Sequence, residues 1–166
     1  MKKEPRYPGS YKMNIVLLEP EIPPNTGNVA RLCAATKSKL HLIEPFGFKL
    51  DDPQLKRAGM DYWQQVEWHR WKNWTAFTEK LPPHARLWFV ESKGPKLYSD
   101  AKFSADDYLI FGRETAGLPK KLLEENREHW LRIPMFNEKA RSLNLSNCAA
   151  LVLFEALRQQ RFEGEI

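Results

Sequence analysis

The chain has 166 residues, of which 42% are apolar and 28% charged, and its mean hydropathy is −0.59. This length suits one domain, and no apolar run approaches the ~20 residues of a membrane-spanning helix. Because the N-terminus also lacks the apolar stretch of a signal peptide, we expect a cytoplasmic protein without membrane association. The net charge of +5 is compatible with a polyanionic partner.

The first twelve residues carry part of the positive charge and have no core-forming pattern. We therefore predict a flexible basic tail over residues 1–12 and a single domain over residues 13–166. The positively charged residues of this tail are Lys2, Lys3, Arg6 and Lys12, and its one negatively charged residue is Glu4.

Short apolar runs, rich in β-branched and aromatic residues, predict buried strands, and helix candidates lie between or after them. The predicted strands are Met13–Leu18, Leu40–Ile43, Leu87–Val90, Tyr108–Phe111 and Trp130–Ile133. The predicted helices are Asn25–Thr36, Asn73–Lys80, Pro119–Asn126 and Ser146–Arg161. This alternation indicates an α/β domain with a mostly parallel sheet flanked by helices.

The first and last predicted helices are apolar over most of their surface. A terminal helix of a small domain normally keeps one face in water, so these helices are either enclosed by the fold or buried against a second subunit. The shortness of the chain favours a homodimer.

Two cysteines and four histidines show no ligand spacing. Cys33 and Cys148 stand among small apolar neighbours, which predicts buried free thiols, and we expect no structural metal.

Three segments combine strand ends, glycines or prolines, and polar side chains. The first, Glu19–Arg31, enters a helix that Asn25 or Thr26 can cap, and it places Arg31 on an otherwise apolar helix. The second, Phe111–Pro119, is a glycine-rich turn, but no Lys-Ser or Lys-Thr follows Gly117, which disfavours a phosphate loop. The third, Ile133–Asn147, contains Arg-Ser-Leu-Asn-Leu-Ser-Asn before the last helix, with Ser146 or Asn147 as its cap.

Aromatic and basic residues also interleave in one stretch, which suits base stacking or, more commonly, core and interface packing. The residues are Tyr62, Trp63, Trp68, His69, Arg70, Trp71, Lys72 and Trp74.

Taken in order, the three segments resemble the SPOUT RNA methyltransferases, specifically the minimal TrmL (YibK) subgroup that 2′-O-methylates cytidine or uridine 34 of tRNA. The resemblance covers about residues 14–164, nearly the whole chain. It implies a SPOUT fold with a C-terminal deep trefoil knot, S-adenosyl-L-methionine as the cofactor, and the tRNA anticodon stem-loop as the partner of a homodimer. It implies cofactor binding by Val90, Gly112, Ile133 and Ser142.

The resemblance also implies a role for Arg31 in methyl transfer. Arginine is almost never deprotonated in proteins, so we interpret Arg31 as a clamp on the nucleotide rather than a base. Other candidate catalytic residues are Asn25, Glu114, Ser142 and Asn144. The subgroup often carries tyrosine at the position of Phe154, so a mechanism that needs that hydroxyl would not operate here.

Other functions remain possible from the sequence alone. They are a SPOUT enzyme for another tRNA position or ribosomal RNA, a non-enzymatic RNA-binding protein, and a nucleotide-binding NTPase.

Overall fold

A computed structural model describes residues 13–59 and 62–166; the tail predicted over residues 1–12 lies outside the described residues. The strands are β1 (Asn14–Leu18), β2 (Lys39–Ile43), β3 (Trp68–Trp71), β4 (Leu87–Val90), β5 (Lys96–Leu97), β6 (Tyr108–Phe111) and β7 (Trp130–Arg132). The α-helices are α1 (Pro23–Thr36), α2 (Pro53–Gly59), α3 (Trp74–Thr78), α4 (Lys120–Glu125) and α5 (Leu145–Gln159). The predicted α/β class is confirmed.

The strands form one sheet in the order β3-β2-β1-β6-β4-β7-β5, and every pairing is parallel. Phe111 at the end of β6 pairs with Val90 of β4, and Val90 pairs with Leu131 of β7. The carboxyl ends of these strands therefore lie side by side. In open parallel sheets, ligands bind at this edge.

Helices cover both faces of the sheet because alternate strand residues point to opposite sides. On one face, Ile15 and Leu17 belong to a core cluster with buried residues of α1 and α5. On the other face, Val16 and Leu18 pack in a cluster with Phe77 of α3 and Leu123 of α4. The apolar strand runs are thus buried on both sides, as a parallel sheet requires.

Three elements escaped the sequence prediction: α2, β3 and β5. Strand β3, with the sequence Trp-His-Arg-Trp, lies at the sheet edge and is largely exposed, so it has no apolar pattern. Strand β5 has only two residues, and α2 buries only Leu55 among its described side chains.

The predicted helix caps were wrong at two positions. Helix α1 begins at Pro23, so Asn25 and Thr26 lie inside it, and its N-cap residue Ile22 contributes no side-chain bond. Prolines at the first two positions lack N–H groups and leave fewer donors to satisfy. At α5, Asn144 is the cap instead of Ser146 or Asn147, because its side chain accepts from both of their backbone N–H groups.

The tryptophans of the aromatic and basic stretch divide between packing and exposure. Trp71 and Trp74 pack against the core cluster that contains Phe77. Trp63 and Trp68 meet edge to face, with ring centroids 5.0 Å apart, and 36% of Trp68 is exposed. Trp63 also packs against the core cluster that contains Ile15, so core packing accounts for three of the four tryptophans, and RNA contact by this stretch stays a prediction.

A buried polar network joins β1, β2 and β3. Trp71 Nε1 donates to His41 Nδ1 at 3.1 Å, which leaves the ring hydrogen on His41 Nε2, 3.1 Å from Asn14 Oδ1. Tryptophan can only donate, so this network selects the neutral Nε2–H tautomer. Burial, followed by the charges of His69 and Lys39, lowers the pKa of His41 from 6.5 to about 3.

We expect acid to destabilise the fold through His41. Between pH 6.5 and 3 the unfolded chain binds a proton at this residue and the folded chain does not, so stability falls as pH drops below 6.5. The loss amounts to about 2 kcal/mol between pH 7.5 and 5. Urea unfolding of the wild type and His41→Gln at both pH values measures it, with exposed His84→Gln as the control. If the free energy of unfolding fell equally with pH in the wild type and in His41→Gln, the pH dependence would not come from His41.

Candidate functional site

A cavity of about 690 Å³ opens at the carboxyl ends of β4, β6 and β7. Its walls come from residues 90–93 at and after the end of β4, residues 111–118 at and after the end of β6, and Ile133, Met135 and residues 141–145 after β7. The start of α1 adds Ile22 and Asn25. The three polar segments of the sequence thus meet at one place.

The structure places most predicted site residues on this cavity. The four predicted cofactor residues, Val90, Gly112, Ile133 and Ser142, all line it. Asn25, Glu114 and Asn144 line it as well.

Arg31 is the exception among the predicted site residues. It lies on the exposed side of α1, outside the cavity wall, with its guanidinium carbon 5.2 Å from the ring centroid of Tyr62. The interaction is of cation–π type. Arg31 is therefore available to a molecule that approaches the surface.

The loop after β6 is closed on itself by its glycines. Arg113 and Gly117 exchange backbone hydrogen bonds of 3.2 and 2.9 Å. Gly117 has φ +67°, a conformation that side chains rarely adopt, and a Cβ on Gly112 would collide with the backbone of Gly117 and Leu118. This part of the cavity wall is consequently built from backbone.

Glu114 binds this loop to the start of α1. Its carboxylate accepts from the backbone N–H groups of Glu21 at 2.8 Å and Ile22 at 3.0 Å. In return, the Glu21 carboxylate accepts from the backbone N–H of Thr115 at 3.0 Å and from its hydroxyl. A carboxylate from a distant loop thereby satisfies the backbone N–H groups of the two residues that precede α1.

We expect Glu114→Gln to lower the free energy of unfolding by about 1–2 kcal/mol, because one of the two backbone N–H groups then faces an amide NH2 group. Urea denaturation measures the loss. The matched control is Glu124→Gln, which alters an exposed carboxylate on α4 and should change little. Equal stabilities of the two variants would show that the Glu114 bonds contribute nothing.

A chain of side-chain hydrogen bonds continues across the cavity. Asn25 is buried; its amide nitrogen is 3.4 Å from Glu114 Oε1, and its Oδ1 accepts from Asn144 Nδ2 at 2.9 Å. Asn144 Oδ1 then accepts from the Ser146 backbone N–H and hydroxyl. All three segments are thus held in one rigid arrangement.

The family model for the SpoU rRNA methylases matches residues 12–154. The chain belongs to that family. The prediction made from the three motifs is confirmed.

Individual relatives resemble this SpoU family member over nearly its whole length. A tRNA (cytidine(34)-2′-O)-methyltransferase of Saccharophagus degradans is 52% identical over 154 residues, covering 91% of this chain and 97% of the relative. A solved structure described as "Structural insights into the 2-OH methylation of C/U34 on tRNA" is 43% identical, with a TM-score of 0.87, covering 93% of this chain and 100% of that one.

A more distant structure shows the fold alone. The SpoU methyltransferase AviRb from Streptomyces viridochromogenes, in complex with AdoMet, is 24% identical, with a TM-score of 0.77. The match covers 95% of this chain and 64% of the AviRb chain.

Two nucleophilic side chains at or beside the SpoU cavity are in unreactive states. The Ser146 hydroxyl, next to the cavity wall, donates to Asn144. Cys148 lines the cavity and is only partly buried, which corrects the prediction of two buried thiols; Cys33 is buried as expected. Burial and the nearby Glu91 charge raise the pKa of Cys148 to about 11, so the thiol stays protonated at neutral pH. The arrangement favours binding and orientation over covalent catalysis.

No helix in the described ranges is both long and apolar enough to cross a membrane. Nor do residues 13–59 and 62–166 bring together three His, Cys, Asp or Glu side chains that could hold a metal ion.

Some residues of the SpoU site were missed by sequence reasoning. Glu21, Glu91 and Cys148 were not assigned to it. Glu91 directly follows a buried strand, so its position at the sheet's carboxyl edge was a usable signal. No such signal existed for the pairing of Glu21 with Thr115, which joins residues 94 positions apart.

Proposed function

We propose that this chain transfers a methyl group from S-adenosyl-L-methionine to the ribose 2′-oxygen of nucleotide 34, cytidine or uridine, of tRNA. The main support is that three motif segments meet around one cavity, in a chain that is 52% identical to a tRNA (cytidine(34)-2′-O)-methyltransferase. Such an enzyme acts on the anticodon stem-loop, and tRNA as substrate is consistent with a cytoplasmic location.

The cavity suits the proposed cofactor in size and chemistry. Its volume lies within the range of about 300–1,000 Å³ that is usual for small-molecule sites. Val90, Gly112, Ile133 and Ser142 would hold the cofactor, with apolar walls for the adenine and backbone groups for its polar edges. When bound, the cofactor supplies an electrophilic methyl group on its sulfonium.

Arg31 is proposed to orient the RNA. A ribose hydroxyl is a weak acid, and an arginine side chain cannot serve as the base that deprotonates it. Its exposed guanidinium can instead form paired hydrogen bonds with a phosphate, which fixes the ribose oxygen relative to the methyl group.

Asn25, Glu114 and Asn144 act, in this proposal, by holding the loops. Their polar atoms bond one another and the backbone, as the distances above describe. Ser142 is exposed and lines the cavity, where it can contact the cofactor or the nucleotide.

We propose that the enzyme is a homodimer. On α5, Leu151 is 42% exposed and Phe154 48%, and they stand three residues apart on one helical face. Helix α5 packs beside α1, whose preceding residue Ile22 is 43% exposed. Sedimentation of the wild type should give a dimer mass, and Phe154→Glu should shift it toward the monomer. A monomeric wild type at micromolar concentration would contradict the proposal.

The C-terminal trefoil knot is likewise a proposal. Strand β7 inserts between β4 and β5, and α5 then returns to contact α1 and β6, a path compatible with threading. Electron density that carried residues 133–145 outside the loop formed by residues 87–112 would contradict the knot.

The function is tested with unmodified tRNA, purified enzyme and labelled cofactor, followed by nuclease digestion and mass mapping. A 2′-O-methyl group at position 34 is the expected product. A methyl group at another position, or on ribosomal RNA only, would support a SPOUT enzyme with a different target. RNA affinity without cofactor affinity would support a non-enzymatic RNA-binding protein.

A further inference from the structure

Glu91 places a carboxylate on the cavity wall that the motifs did not identify. It follows the last residue of β4, and its backbone N–H donates to the Leu131 carbonyl of β7 at 2.9 Å. The residue is thus fixed between two central strands, at the edge where ligands bind.

The carboxylate of Glu91 is held in a defined orientation. Oε2 accepts from the Leu118 backbone N–H at 2.9 Å, and Oε1 accepts from the Ser92 backbone N–H at 2.9 Å and from its hydroxyl at 3.3 Å. A Cβ on Gly117 would collide with Oε2, so the glycine is what makes room for this oxygen. A carboxylate has about four acceptor positions, and these donors use three.

The charge of Glu91 has no ionic partner in the described ranges. Among the other charged groups on the cavity, Arg113 pairs with Glu19 and Lys120 with Glu124. Lys93 and Arg141 also line the cavity, but neither forms an ion pair with Glu91. The three donors that hydrogen-bond the Glu91 carboxylate are all neutral, although a hydrogen bond from a charged donor would be stronger.

We propose that Glu91 is a cofactor-binding residue whose Oε2 accepts a hydrogen bond from an N–H or O–H donor of the bound cofactor. This inference rests on the proposed function. Besides the adenine amino group, which the proposed function assigns to backbone groups of the cavity, the cofactor offers two such donors: the ribose hydroxyls and the amino-acid ammonium. Both are neutral or cationic donors that match an unpaired carboxylate, and a glutamine would provide only a weaker acceptor.

Calorimetric titration of the full-length protein tests the proposal with pairs of ligands. Comparing S-adenosylhomocysteine with its deamino analogue removes only the ammonium, and comparing adenosine with 2′,3′-dideoxyadenosine removes only the hydroxyls. For the wild type and Glu91→Gln, each pair forms a thermodynamic cycle. We expect Glu91→Gln to weaken S-adenosylhomocysteine binding about tenfold. In one of the two pairs, the ligand that lacks the contacted donor should bind the wild type and Glu91→Gln equally well.

Each outcome decides a separate question. If the affinity loss in Glu91→Gln depends on the ammonium, the first pair identifies the ammonium as the donor that Glu91 contacts. If the loss depends on the hydroxyls, the second pair identifies the ribose. Either result supports direct contact. If Glu91→Gln lowered the affinity for every ligand by the same factor, Glu91 would only support the Gly117 loop. If the affinities did not change, Glu91 would have no role in binding. Both results overturn the proposal. A wild type that binds none of these ligands would instead overturn the proposed function. The control is Glu124→Gln, outside the cavity.

Discussion

Replacing Arg31 by alanine is expected to reduce methyl transfer at least about 100-fold while leaving S-adenosylhomocysteine affinity within about twofold. The separation follows from geometry. Arg31 does not line the cavity, so cofactor contacts should survive its removal, whereas the RNA loses a charged clamp. Even a shift of about 1 Å in the nucleotide costs a large factor in rate, because methyl transfer requires alignment of the oxygen with the methyl group.

Single-turnover methylation and calorimetry on the same preparation measure the two effects. Arg57→Ala is the matched control, since it removes another exposed arginine, from α2, and should retain most activity. Arg31→Lys should recover only part of the rate, because an ammonium cannot form the paired contacts of a guanidinium. A parallel loss of cofactor affinity in Arg31→Ala would contradict the clamp.

Introducing alanine at Gly112 is expected to weaken S-adenosylhomocysteine binding about 30-fold and to lower the free energy of unfolding by about 1–3 kcal/mol. The added Cβ would collide with the Gly117 carbonyl carbon and the Leu118 backbone nitrogen. Neither neighbour is the end of a flexible side chain, so the loop itself must move. That movement would also displace Leu118 N–H from Glu91.

Calorimetry and urea denaturation measure the two effects of Gly112→Ala. The control is Ala140→Ser, which enlarges an exposed residue outside the cavity wall and should have little influence on either quantity. Wild-type affinity in Gly112→Ala would show that the loop is not as tightly packed as the structure indicates.

The cavity was predictable from the sequence because of a general property of parallel sheets. Motif segments that follow β1, β6 and β7 must emerge at one edge, so Asn25, Gly112 and Ser142 meet there even though they are far apart in the chain. The buried strands were equally predictable from the sequence, because their apolar runs are short and rich in β-branched and aromatic residues. Exposed β3 and two-residue β5 carry no such pattern.

What the sequence could not provide is the pairing of specific polar groups across the fold. Local rules placed the cap of α1 on Asn25 or Thr26, whereas Glu114, about 90 residues away, bonds the entry to that helix. The same limitation applies to Arg31, whose direction relative to the cavity depends on tertiary packing of α1. Propensity and spacing describe a segment's own preferences and say nothing about such distant partners.

The hydrogen bond between Asn25 and Asn144 joins residues 119 positions apart and has a consequence for biosynthesis. During translation, β1 and α1 emerge long before Asn144, so the nascent chain has no finished cofactor pocket until its last segment leaves the ribosome. Binding of the proposed cofactor would require the completed molecule and would therefore stabilise it selectively over unfinished forms. Truncated chains would gain no such protection against proteolysis.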